Sequence, residues 1–116
     1  MKTIITNLKR ASVEMLLLTL LAEEDKYGYQ MTQEIKERSN GNFTLLEGSM
    51  YPILYRLSES GDVEFKEVKV GIRMTRIYYH LTDSGRIRLE TMRKTFREQL
   101  LLIDSLTGFM EDNTNE

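Results

Sequence analysis

Between Thr6 and Glu24 the chain crowds its apolar residues at 15–18 and 20–22, with only Thr19 between the two clusters. A segment this rich in Leu, Met, Ala and Glu predicts a largely buried helix. Gly28, in DKYGYQ, ends it. A second helix is predicted from Tyr29 to Ser39, with Met31 and Ile35 four residues apart on one face. The cluster SNGN at 39–42 reads as a turn. The third helix, Ser49 to Ser60, sets Ile53, Leu54 and Leu57 toward a core and is followed by Gly61, the residue a helix C-terminus favours. It also contains Pro52, the only proline in the chain. With Ser49 as N-cap, Pro52 falls at the third helical position, where its missing N–H is one of those left unpaired in any helix. Ser49, Tyr51, Pro52, Tyr55 and Arg56 are left for the outer face and the tip.

The period then changes. DVEFKEV alternates Val63, Phe65 and, nearly, Val68 against polar neighbours. TRIYYHL is rich in β-branched and aromatic residues, and the KVGIR between them holds a glycine, so the pair predicts a β-hairpin. Thr82 is a good N-cap, Asp83 suits a first helical turn, and no breaker follows until Gly108, which predicts one long last helix. Along it Leu89, Met92, Phe96, Gln99, Ile103, Leu106 and Met110 form a heptad seam with one polar member. A lone helix of this kind leaves an apolar stripe that two copies of the chain can bury together. The other reading packs the seam back on the first helix, and both can hold at once.

Three short helices, a hairpin and a long helix describe a mainly α fold with a β-hairpin wing (α+β), a winged helix-turn-helix. The expected organisation is a DNA-binding domain over 1–81, a dimerisation helix over 82–110 and a disordered tail over 111–116.

Composition narrows the function. Apolar residues make up 41% and charged residues 29%, ordinary for a soluble domain. There is no cysteine, which removes disulfides, thiolate metal sites and cysteine nucleophiles. MLLLTLLA, from Met15, is too short to span a membrane and fits no signal peptide, so a cytoplasmic protein with no membrane partner is expected. The single histidine, His80, reads as a strand residue capping a core edge or bonding a backbone carbonyl. No second histidine and no glycine-rich phosphate loop accompany it, so neither an enzyme nor a cofactor is expected. The net charge of −2 does not announce nucleic-acid binding. The local pattern does more: from Lys69 to Arg76 there are three basic residues and no acidic one.

YGYQM at 27–31, GSMYPILYRLSESGDV at 48–63 and RIYYHLTDSGRIRL at 76–89 resemble, in order and spacing, the PadR-type transcriptional regulators. The resemblance covers most of the first 90 residues and looks like a short form with a single C-terminal helix. It implies a winged-helix DNA-binding domain, dimerisation through that helix, and repression relieved by a small molecule. It also implies that the third helix reads double-stranded operator DNA while the wing touches the backbone. The candidate DNA-binding residues are then Tyr29, Ser49, Met50, Tyr51, Pro52, Tyr55 and Arg56, with Lys69, Arg73 and Arg76 on the wing. The seam residues are the candidate homodimer interface. An apolar or aromatic effector would sit between the last helix and its neighbours, among Leu and Met side chains and Phe96; the other reading is a fully packed core with no ligand. The wing lacks the Gly/Arg/Pro-rich tip common in the family. The alternative function is a winged-helix protein-interaction module without DNA binding.

Overall fold

A computed structural model describes residues 2–111. Apart from Glu111, which lies in a bend, the predicted disordered tail falls outside the described residues. The elements are α1 (Lys2–Glu23), β1 (Lys26–Tyr27), α2 (Gly28–Arg38), α3 (Glu47–Glu59), β2 (Val63–Lys69), β3 (Thr75–Leu81) and α4 (Asp83–Thr107). This is the winged helix-turn-helix order, with one strand more than the sequence announced. β1 pairs with the outer edge of β3, and the sheet runs β1-β3-β2, antiparallel throughout.

The helix ends follow their chemistry. α2 closes with Asn40 and Gly41 at positive φ, and the Gly41 N–H donates to the Lys36 carbonyl. α3 closes in the same way on Gly61, with Asp62 N–H donating to Leu57. Both are left-handed caps that satisfy end carbonyls. α4 starts on Thr82, whose hydroxyl accepts from the Gly85 N–H at 3.0 Å, and ends on left-handed Gly108.

One core serves all elements: Leu17, Leu18 and Leu21 of α1, Met31 and Ile35 of α2, Met50, Leu54 and Leu57 of α3, Val63, Tyr79 and Leu81 of the sheet, and Leu89 of α4. The hairpin runs beyond this core. Phe65 shares a sheet face with Val63 and Tyr79 but is exposed.

A buried cation holds β1 in place. Lys26 is 1% exposed, and its ammonium donates to Glu23 and Glu34. Arg38 donates to both oxygens of Glu23, at 2.8 and 2.7 Å, and to Glu34. Burial by itself would lower the Lys26 pKa, but the two carboxylates outweigh it and hold the group above its ordinary value. The hydrogen bond from Arg38, then that from Lys26, brings Glu23 from its ordinary 4.5 down to about 2. A carboxylate depressed by folding stabilises the fold above its unfolded pKa, and the contribution is lost as pH falls through the folded one. Stability is expected to drop between pH 4.5 and about 2. Glu23→Gln should lower the melting temperature near neutral pH and flatten that acid limb. An unchanged limb in thermal melts would assign the acid sensitivity to other groups.

Candidate nucleic-acid interface

The candidate face is assembled where α2, α3 and β3 begin. The N-cap of α3 is Leu46, three residues before the expected Ser49, and it offers no capping side chain. Pro52 is therefore the sixth helical residue, not the third. Its missing N–H leaves the Gly48 carbonyl without its helical donor, on a face that is exposed.

Tyr51 lies across the first turn of α2. A Cβ added to Gly28 would come within 2.5 Å of the Tyr51 hydroxyl and 2.8 Å of its ring, so glycine makes room for the tyrosine. The Tyr51 hydroxyl donates to Glu47, one turn earlier, at 3.1 Å. Burial, then that hydrogen bond to the carboxylate, pushes the phenol up to about 12. The ring is still 42% exposed, so Tyr51 is fixed and presented at once. Tyr29 on α2 and Tyr55, one turn along α3, are more open still. Tyr27, Tyr29, Tyr51, Thr75, Arg76 and Ile77 line one concavity, which sets the wing beside the two helices. Within it the Arg76 guanidinium stacks 4.3 Å from the centre of the Tyr27 ring, and Tyr27 meets Tyr78 edge-on. Lys69 and Arg73 project from the wing into solvent.

Three candidates from the sequence lie elsewhere. Met50 is fully buried and packs in the core, because it lies four and seven residues before Leu54 and Leu57 on the same face of α3. Its side chain is not part of the surface. Arg56 is exposed but sits about 140° round the helix from Tyr51 at 100° per residue. Its guanidinium donates to Glu14 on α1 at 3.1 Å, and Arg88 of α4 donates to the other oxygen of that carboxylate at 2.7 Å. Burial would raise the Glu14 pKa, but the two arginines outweigh it and hold it below the ordinary carboxylate range. Ser49 is exposed on this same side of α3. Pro52 is exposed between the two faces.

The seam divides as well. Leu89 is buried in the core and Met92 packs against it, so the first turns of α4 are committed to the chain's own core and α1. Phe96 is half-buried beside Met15 and Leu16. Gln99, Ile103, Leu106 and Met110 are exposed. His80 is exposed too, and its Nδ1 lies 2.7 Å from Asp25 rather than at a core edge or a backbone carbonyl. Sequence reasoning missed Glu47, Gly28 and Tyr27. Only Glu47 left a local signal, four residues ahead of Tyr51.

A model of the transcriptional regulator PadR-like family matches residues 17–91, from the middle of α1 to the third turn of α4. The chain belongs to this family. An uncharacterized protein of Lysinibacillus sphaericus is 32% identical over 95 residues, covering 82% of this chain and 87% of that one. The negative transcriptional regulator PadR of Bacillus subtilis is 27% identical over 93 residues, and the chain spans about half of its length (51%, against 74% of this chain). The crystal structure of that PadR in complex with operator DNA is similar with a TM-score of 0.64 at 28% identity, covering 69% of this chain and 46% of that one. A transcriptional regulator from Clostridium thermocellum shares the fold at a TM-score of 0.80 and 22% identity, covering 87% of this chain and 98% of that one. The PadR-like match takes in α2, α3 and both wing strands, so it contains the whole tyrosine face. Among the described residues no helix is long and apolar enough to cross a membrane.

Proposed function

We propose that this PadR-like regulator binds an inverted-repeat operator as a homodimer and represses transcription until a small apolar or aromatic ligand releases it. The observation that carries the reading is the concavity where Tyr29 and Tyr51 meet Thr75 and Arg76. It puts the start of α3 and the outer half of the wing strand β3 on one side of the molecule. That is the side a winged helix-turn-helix offers to a duplex, with the helix tip in the major groove. Lys69 and Arg73 are placed to meet phosphates. The operator complex and the name of the Bacillus subtilis relative support DNA as partner and repression as outcome. The homodimer is supported by apolar side chains that the chain leaves uncovered: Leu100 to Ile103 and Leu106 on α4, with Ile4, Ile5 and Leu8 on α1. Release is supported by a cleft of about 880 Å³ between α1, α3 and α4, with Ile5, Phe43, Ile53 and Met92 in its walls. That volume is within the range of small-molecule sites.

The test is a gel shift with duplexes selected by the protein from a random library. Affinity should fall steeply with salt, by about a thousandfold between roughly 50 and 200 mM if about six phosphates are engaged. Failure to select any duplex would sink the reading. Tyr51→Ala should weaken binding to the selected duplex by roughly tenfold to a hundredfold, equivalent to about 1–3 kcal/mol, while the helical circular dichroism persists. Unchanged affinity would remove Tyr51 from the contact.

A further inference from the structure

The wing ends in an apolar point. Val70 N–H donates to the Met74 carbonyl at 3.0 Å, which closes the hairpin around Gly71, Ile72 and Arg73. Ile72, at the apex, is 100% exposed. Met74 is 60% and Val70 38% exposed just below it. A fully solvated isoleucine at a hairpin tip has no role in the core, and turn chemistry does not ask for a β-branched residue there. Gly71 is equally unexplained from within. Its φ is not in the left-handed region, and a Cβ added there would meet nothing within 4 Å. Neither backbone nor packing requires glycine, so its effect is on the outside: it keeps the tip thin. Lys69 and Arg73 flank this tip, and Glu67 is the last acidic residue before Asp83. A thin apolar point in a cationic collar complements a narrow groove walled by phosphates.

We propose that Ile72 is a wedge that enters the minor groove and partly unstacks one base step, bending the operator. This rests on the DNA-binding reading above and adds a mode of specificity to it. Reach supports the assignment. Thr75 lines the tyrosine concavity and Ile72 stands three residues beyond it, past the end of β3, so the tip projects beyond the surface that α3 shares with the wing. With α3 in a major groove, such a projection is directed at the adjacent minor groove. Isoleucine and methionine are among the side chains that minor-groove proteins insert between base pairs, and the flexible pyrimidine–purine steps yield most easily. The operator would then be selected for a deformable step at a fixed distance from the bases that α3 touches.

The experiment uses the full chain and a duplex it selects from a random library, with 2-aminopurine placed at successive steps under the wing. Wild type should raise the fluorescence severalfold at one step, and Ile72→Met should preserve the rise. Ile72→Ser should abolish it and lower affinity about tenfold, as expected for loss of a partly buried aliphatic group. The salt slope should stay unchanged in Ile72→Ser, whereas Arg73→Ala should reduce it by about 0.9. If wild type selects a duplex but Ile72→Ser binds and unstacks it equally well, the wedge is wrong and the regulator stands. If wild type selects no duplex, both fall. Ile72-dependent sedimentation with phosphatidylglycerol vesicles, without unstacking of DNA, would make the tip a lipid anchor and overturn the wedge.

Discussion

Gly85→Ala is expected to cost this protein about 3 kcal/mol or more and to lower its melting temperature by roughly 10–20 °C. An alanine normally gains about 1 kcal/mol over glycine inside a helix, so the sign is decided by space. A Cβ at position 85 would fall 2.1 Å from the Asp62 carbonyl oxygen and 2.5 Å from Leu81 Cδ1. The first of these is backbone and cannot swing away. It is also tied down: the Asp62 carbonyl accepts from Thr82 N–H, the Thr82 hydroxyl donates to the Gly61 carbonyl, and the Asp62 carboxylate accepts from Ser60 and Ser84. The end of α3, the start of β2, the end of β3 and the first turn of α4 therefore converge on one point. Relieving the clash means moving the wing and α4 relative to α3. Thermal melts of Gly85→Ala and Gly85→Ser decide it. Variants as stable as wild type would mean that this junction yields without loss.

Ile103→Asp is expected to turn a dimer into a monomer. Ile103 is 46% exposed on α4 beyond the turns that pack on α1, so an aspartate there is solvated in a lone chain and cheap. Across the proposed two-fold contact the same aspartate appears twice and is desolvated without a partner, at several kcal/mol each. The effect should exceed that of any change on the tyrosine face, because tight binding to an inverted repeat needs both subunits. Sedimentation at micromolar concentration, with circular dichroism to show that the helices persist, checks it. A mutant that stays dimeric places the contact elsewhere.

Most of the architecture was legible because each signal was local. Gly61 and Gly108 end helices at positive φ, Thr82 caps α4, and the period-2 stretches at 63–69 and 75–81 pair as a hairpin. What escaped depended on contacts distant in sequence. β1 has two residues, too few for any period, and one of them is a lysine that reads as exposed until Glu23 and Glu34 surround it. Arg56 looks like a groove residue until Glu14, 42 positions earlier, takes its guanidinium. The heptad along α4 is regular in sequence, but Leu89 and Met92 are spent on the core before the stripe becomes free. Ser49 has the chemistry of an N-cap, yet α3 is capped at Leu46 without one; that three-residue shift moves Pro52 into the second turn, and Met50 falls on the same buried stripe as Leu54 and Leu57.

The tie between Glu14, Arg56 and Arg88 makes α4 a cantilever. Its root is gripped through Arg88, Leu89 and Met92, and beyond Phe96 the remaining eleven helical residues extend about 16 Å without support from the chain's own core. The molecule is accordingly 62 Å long but only 29 and 22 Å across. A beam held at one end magnifies whatever happens at its root: a tilt of about 10° at Phe96 carries Thr107 about 3 Å sideways. Because the same carboxylate also ties α3 through Arg56, the root of the free end and α3 share one tie beside their core packing, and loosening Glu14 would act on both together.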